Sequence, residues 1–113
     1  MPYIEIKTNV SVTDDKIKTI NALLGSEIEL LPGKSEKWLM NCIAGESKMS
    51  FAGDPSPCAI AEVSLFGKAD AKAYDALTAS LCEKLSAALS VPADRIYIKY
   101  EEVSTWGWNC ENF

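Results

Sequence analysis

The chain repeats one order of elements twice, and this pseudo-repeat constrains the fold more than any other feature of the sequence. Each half reads as a strand, a helix and a second strand, and each helix is followed by a proline-containing turn, Pro32-Gly33-Lys34 or Pro92-Ala93-Asp94. A crossover as long as a helix makes the two strands that it connects parallel. Two such units predict an α+β domain, in which a four-stranded mixed sheet carries both helices on one face.

The individual elements follow from hydrophobic periodicity and from capping residues. Residues 2–8 alternate polar and apolar side chains, as a strand with one buried face does. The sequence Thr13-Asp14-Asp15 begins a helix that should end at Pro32. Asp70 begins a second helix, which should end at Val91-Pro92. The other strands are expected at residues 38–44, 58–66 and 96–101.

Two helices can cover only one face of this sheet, yet the strands at 38–44 and 58–66 read as apolar on both faces. A strand that is apolar on both sides is usually buried on both sides. We therefore expect other copies of the chain to bury the uncovered face in a symmetric oligomer, whose order this pattern does not give.

Length and composition narrow the class of protein. A chain of 113 residues suits a single domain over residues 1–113, and its net charge of −5 argues against a nucleic-acid binder. No apolar run is long enough to cross a bilayer, and the N-terminus lacks the continuous apolar stretch of a signal peptide. The expected compartment is therefore the cytoplasm. The widely spaced cysteines at 42, 58, 82 and 110 fit reduced, buried thiols better than disulfides or a zinc site.

The sequence contains no histidine, which excludes catalysis by imidazole and histidine-ligated zinc. A base near neutral pH must then be a shifted carboxylate or lysine, a thiolate, or the N-terminal amine. Pro2 directly follows Met1, and a small residue at that position permits removal of the methionine, which would leave a secondary amine in a rigid ring. Taken alone, Pro2 is more often the start of an edge strand, where its missing N–H costs nothing.

Several short stretches occur in a distinctive order at characteristic spacing: Met1-Pro2, Thr8-Asn9-Val10, Pro32-Gly33-Lys34, Met49-Ser50-Phe51-Ala52-Gly53, Pro57-Cys58-Ala59, Phe66-Gly67-Lys68, Pro92-Ala93-Asp94-Arg95-Ile96-Tyr97-Ile98 and Gly107-Trp108-Asn109. Together they make the chain resemble the macrophage migration inhibitory factor family of the tautomerase superfamily over essentially its whole length. The resemblance implies a homotrimer whose sheets line an inner barrel, with cofactor-free active sites at the subunit interfaces.

The resemblance also implies the site residues. Pro2 matches the catalytic N-terminal proline, and Lys34 matches the active-site lysine. Tyr97 matches the pocket tyrosine that the neighbouring subunit supplies. The other implied substrate-binding residues are Phe66, where the family usually has isoleucine, and the surrounding aromatic residues Tyr3 and Trp108.

Lys99 departs from the family pattern, which commonly has asparagine at this position. Side chains two residues apart share a strand face, so Lys99 lies on the same face as Tyr97. We expect Lys99 to point into the pocket and to add a second cation to Lys34. The alternative is that its flexible stem carries the ammonium group out to solvent.

The implied reaction is keto–enol tautomerisation of a small aromatic α-keto acid such as phenylpyruvate, or of dopachrome-type substrates, with Pro2 as general base. A cation at Lys34 and an apolar wall would both lower the pKa of the Pro2 amine. Lys34 would also pair with the substrate carboxylate or the developing enolate oxygen. No metal is expected to take part.

Two other functions stay open. The chain resembles proteins that act as cytokines through their surface, for which the pocket would be vestigial; nothing in the surface sequence identifies a receptor, and export would then occur without a signal peptide. Sister activities of the superfamily, decarboxylation and hydrolytic dehalogenation, tend to need additional arginines near the site, whereas this chain has only Arg95.

Overall fold

The computed structural model describes residues 1–113 and contains two long helices and a four-stranded sheet. The elements in chain order are β1 (Pro2–Thr8), α1 (Asp14–Glu27), β2 (Met40–Ala44), β3 (Ala59–Phe66), α2 (Ala71–Leu89) and β4 (Ile96–Val103), followed by a short hairpin of β5 (Gly107–Trp108) and β6 (Glu111–Asn112). No helix in the chain has an apolar stretch of the length that a bilayer crossing needs.

The sheet has the order β2-β1-β3-β4. β1 pairs in parallel with β2 and β3 pairs in parallel with β4, while the two central strands β1 and β3 are antiparallel. Each parallel pair is thus connected by one helix, as the repeated strand-helix-strand pattern requires. The predicted α+β architecture, a four-stranded mixed sheet with both helices on one face, is confirmed.

The core lies between the helices and one face of the sheet. The pleat places every second residue of β1 and β3 on this face, and the helices meet it with a stripe of apolar side chains at helical spacing. The largest side chains that are fully buried there include Ile4, Ile6, Leu65, Ile20, Leu24, Leu77, Leu81 and Leu85.

Both helices begin where the capping residues predict. The Thr13 side chain accepts a hydrogen bond from the Lys16 N–H, and Asp70 accepts one from the Ala73 N–H at 2.8 Å. The predicted end of the first helix at Pro32 is wrong by a turn, since α1 ends at Glu27 and a single 3₁₀ turn, Ile28–Leu30, follows it.

The second strand also begins later than the sequence predicts. Glu36–Trp38 forms a 3₁₀ turn, and pairing with β1 starts only where Met40 lies opposite Tyr3. Trp38 is therefore outside the sheet, although its apolar side chain continues the pattern of the strand.

The uncovered sheet face is not the apolar surface that was predicted. Glu5, Glu62 and Lys99 lie opposite one another across β1, β3 and β4. Lys99 forms an ion pair with Glu62 at 3.4 Å, and Lys7 forms one with Glu5 at 3.5 Å. The prediction of an apolar face is wrong because polar residues occupy the centre of this face. The case for an oligomer therefore rests on the family resemblance and not on this surface.

The prediction that all four cysteines are buried is also wrong. All four are free, but only Cys58 is buried, Cys82 is half-buried, and Cys42 and Cys110 are exposed. Cys42 points to the uncovered side of the edge strand β2, and Cys110 lies in the turn of the C-terminal hairpin.

An ion pair between a buried carboxylate and a half-exposed lysine connects the two helices. Glu27 on α1 is 3% exposed and accepts a hydrogen bond from Lys84 Nζ on α2. Because removal of one partner leaves an uncompensated charge in a buried position, such changes are costly.

We expect Lys84→Met to lower the free energy of unfolding by about 1–3 kcal/mol, because it leaves the buried Glu27 carboxylate without a partner. Lys72→Met is the matched control, since Lys72 is exposed on the same helix and forms no ion pair. Urea unfolding of the two variants measures the difference. Equal stabilities would show that the pair contributes nothing.

Candidate active site

A cleft of about 660 Å³ opens where β1 begins, between the turn before β2 and the C-terminal hairpin. Its lining is mainly apolar and aromatic and consists of Met1, Pro2, Tyr3, Lys37, Trp38, Leu39, Met40, Ser64, Val103, Trp106, Gly107 and Trp108. An apolar cleft with a few polar groups is the usual form of a small-molecule site.

The N-terminus forms one wall of the cleft and is held there by the backbone of Phe66. Pro2 is buried and lies opposite Leu65 in the antiparallel pairing of the central strands. The Phe66 N–H donates to the Met1 carbonyl at 3.0 Å, and the Lys34 Nζ donates to the Phe66 carbonyl at 2.9 Å. These two hydrogen bonds hold Lys34 beside the first residues of β1, although Lys34 lies in the turn after the first helix.

The surroundings lower the pKa of the N-terminal amine. Burial disfavours the charged ammonium form of the Met1 amine, and this is the largest contribution to the lowered pKa. The positive charge of Lys34 and a hydrogen bond with its side chain lower the pKa further. An amine with a lowered pKa is neutral over a wider range of pH and is a more available base.

The hairpin of β5 and β6 supplies the aromatic wall. Asn109 and Cys110 have positive φ angles of 52° and 67°, which is the backbone of a tight two-residue hairpin turn. The hairpin directs Trp108 edge-on to the Trp38 ring, with centroids 5.0 Å apart. Phe113 stacks parallel to Trp108 with centroids 6.4 Å apart, and its centroid lies 5.5 Å from that of Phe66.

The family model for macrophage migration inhibitory factor (MIF) matches residues 1–112. The chain belongs to the MIF family. It is 30% identical to the macrophage migration inhibitory factor of Xenopus laevis over 115 residues, which cover 100% of this chain and 99% of that protein. Many members of the tautomerase superfamily, to which the MIF family belongs, are isomerases.

Solved structures of the MIF family share the fold of this chain. The crystal structure of Leishmania major MIF2 superposes with a TM-score of 0.93 at 27% identity and covers 100% of this chain and 97% of that one. The MIF homologue from Prochlorococcus marinus superposes with a TM-score of 0.88 at 33% identity, with 98% of both chains covered.

The structure brings together most of the residues that the MIF resemblance implies. Pro2, Tyr3 and Trp108 line the cleft, and Lys34 and Phe66 lie beside the N-terminus through the hydrogen bonds described above. Tyr3 points to the uncovered sheet face, where its hydroxyl donates to Glu5 at 3.2 Å. Burial raises the pKa of the Tyr3 phenol, and the negative charge of Glu5 raises it further.

Tyr97 and Lys99 do not reach the cleft of their own chain. Both lie on the uncovered sheet face, where Tyr97 is 62% exposed and Lys99 pairs with Glu62. The Tyr97 ring packs edge-on against Phe51 with centroids 5.2 Å apart. Within one chain, therefore, Lys99 does not add a second cation beside Lys34.

Arg95 fixes the loop that supports Tyr97. Its guanidinium donates to the carbonyls of Pro57, Asp54 and Ser56 at 2.8–2.9 Å and lies 5.3 Å from the Phe51 ring centroid. The N–H donors of the guanidinium are therefore occupied by carbonyl acceptors of the same chain. Arg95 thus stabilises the conformation of the loop.

Lys37 and Trp38 both line the cleft, although the sequence pattern does not single out Lys37 and predicts a strand at Trp38. The polar run Lys34-Ser35-Glu36-Lys37 is more typical of a turn than of a strand, and this signal would have placed both residues beside Lys34. No group of His, Cys, Asp and Glu side chains in the chain is arranged to hold a metal ion.

We expect Lys34→Gln to raise the pKa of the N-terminal amine, because the substitution removes a positive charge that disfavours the ammonium form. Lys18→Gln, on the exposed side of α1, is the control of equal charge change and should leave this pKa unaltered. The pH dependence of acylation of the N-terminal amine measures both values. Equal pKa values in the two variants would contradict the assigned role of Lys34.

Proposed function

We propose that the chain is a cofactor-free keto–enol tautomerase for small aromatic α-keto acids of the phenylpyruvate type, with the amine of Pro2 as general base. The observation that carries this proposal is the position of Pro2. It is buried in the wall of an aromatic cleft, beside a lysine that lowers the pKa of the terminal amine.

The proposal requires removal of Met1. While Met1 is attached, the Pro2 nitrogen is an amide and cannot accept a proton. Met1 also lies in the cleft, and its carbonyl takes the hydrogen bond of the Phe66 N–H. Its removal transfers the terminal amine to the proline ring and frees the Phe66 N–H to face a substrate.

The reaction then needs few groups. The neutral Pro2 amine removes a proton from the carbon beside the substrate carbonyl, so that the C–H bond breaks and an N–H bond forms. The electron pair moves onto the carbonyl oxygen, where Lys34 and the freed Phe66 N–H stabilise the negative charge. Return of the proton to this oxygen completes the conversion of ketone to enol, while Trp38 and Trp108 pack against the aromatic ring.

We further propose that a neighbouring chain of a homotrimer supplies Tyr97 and Lys99. Both residues lie on the uncovered sheet face and do not reach the cleft of their own chain. Loop contacts fix Tyr97 in position through Phe51 and Arg95. In the trimer, Lys99 would exchange its pairing with Glu62 for a place in the neighbouring cleft, where it adds a second cation to Lys34.

A second candidate is a cytokine-like interaction protein, favoured by the full-length similarity to the macrophage migration inhibitory factor of Xenopus laevis. Residence in the cytoplasm, with export without a signal peptide as the alternative, stays a prediction. Decarboxylation and dehalogenation are less well supported, because the guanidinium of Arg95 is occupied by loop carbonyls.

We expect Pro2→Gly to reduce phenylpyruvate tautomerisation by about two to four orders of magnitude, since it replaces the rigid, positioned base by a flexible primary amine. The absorbance of the enol measures the rate, and intact mass must show that Met1 is absent from both proteins. Thermal unfolding serves as the folding control. Activity near that of the natural protein would remove Pro2 from the mechanism, and a natural protein without activity would favour the interaction role.

A mixed oligomer tests whether Tyr97 acts across the interface. Pro2→Gly and Tyr97→Ala chains each lack one element of the proposed site. If the sites form between chains, co-refolding the two variants creates some sites with both Pro2 and Tyr97 intact, so activity exceeds the sum of the separate variants. Activity that only equals this sum would place Tyr97 outside the neighbouring site.

A further inference from the structure

Among the residues that line the cleft, only Lys37 has a charged side chain. Its Nζ lies 5.2 Å from the centroid of the Trp38 ring. This is within the distance at which an ammonium group is attracted to the face of an indole. The contact holds the cation beside the aromatic pair formed by Trp38 and Trp108, on the side of the cleft that faces solvent.

The turn that carries Lys37 directs the side chain of the adjacent Glu36 toward α1. In a 3₁₀ turn, successive side chains point about a third of a turn apart. The Glu36 side chain lies over Gly25 of α1, so closely that a Cβ on Gly25 would overlap the Glu36 carboxylate. The glycine thus provides the space into which Glu36 turns, while Lys37 and Trp38 face the cleft.

Within one chain, the other lysines of this region each have a hydrogen-bond acceptor or an ion-pair partner. Lys34 Nζ donates to the Phe66 carbonyl, and Lys99 and Lys7 pair with carboxylates on the uncovered sheet face. Lys37 forms no hydrogen bond through its side chain and no ion pair. Lys37 is therefore a cleft lysine whose ammonium group has no acceptor within its own chain.

We propose that Lys37 binds the carboxylate of the substrate and makes the cleft selective for anionic over neutral aromatic compounds. This proposal deepens the proposed function and rests on it for the identity of the substrate. The aromatic ring packs between Trp38 and Trp108, and the carboxylate meets Lys37 at the edge of the same aromatic surface. Lys34, beside the terminal amine, is then left to stabilise the enolate oxygen.

A binding experiment tests Lys37 without requiring turnover. The probes are 3-phenylpropionate, which has the ring and the carboxylate but no ketone, and its neutral amide, 3-phenylpropanamide. Quenching of tryptophan fluorescence reports both Kd values for protein lacking Met1, because Trp38, Trp106 and Trp108 line the cleft. The variants are Lys37→Gln, Lys37→Arg and the control Lys72→Gln, which changes the same charge on the exposed side of α2.

We expect the natural protein to prefer the carboxylate by roughly three- to fivefold, the size of a partly exposed ion pair, and to lose this preference in added salt. Lys37→Gln should abolish the preference while leaving the affinity for the amide unchanged. Lys37→Arg and Lys72→Gln should retain it. With phenylpyruvate, Lys37→Gln should raise KM by a similar factor and leave kcat nearly unaltered.

Failure of this proposal differs from failure of the proposed function. An undiminished carboxylate preference in Lys37→Gln, or no preference in the natural protein, would overturn the role of Lys37 even with full tautomerase activity. A natural protein that shows the preference, lost in Lys37→Gln, but does not tautomerise phenylpyruvate would support the role of Lys37 and overturn the proposed reaction.

Discussion

The burial of one face of β1 determines the position of everything else in the cleft. Ile4 and Ile6 are fully buried beneath the helices, and the two-residue period of a strand places Pro2 on the same face at the end of the strand. Antiparallel pairing with β3 then brings Phe66 to the N-terminus. The Phe66 carbonyl accepts a hydrogen bond from Lys34 Nζ and so holds Lys34 beside the N-terminus. A slip of one residue would expose the isoleucines, so the core itself fixes where the terminal amine lies.

The cleft has a charge character opposite to that of the whole chain. The net charge is −5, yet Lys37 lines the cleft and Lys34 lies beside the N-terminus, and neither lysine has a carboxylate partner. Lys84 and Lys99, in contrast, form ion pairs with Glu27 and Glu62. Positive charge concentrated at an apolar opening attracts small anions locally, even on an acidic protein.

Two short irregular segments give the fold its specific cleft. The 3₁₀ turn before β2 presents Trp38, and the C-terminal hairpin presents Trp108, whose rings meet edge to face. The turn lies in the connection between α1 and β2, and the hairpin follows β4 at the C-terminus. The first strand therefore supplies the N-terminus, the connection after α1 supplies Lys34 and Trp38, and the hairpin supplies Trp108.

The sequence predicts the architecture, because alternation along β1, the caps at Thr13 and Asp70, and the proline-containing turns are local signals. It also identified Pro2 and Trp108 through the family resemblance, and the structure places both in the cleft. Tertiary contacts, in contrast, place Glu62 opposite Lys99 and turn Lys37 and Trp38 toward the N-terminus. Those outcomes depend on register between strands and on the space at Gly25, which are contacts between residues remote in sequence that no local pattern encodes.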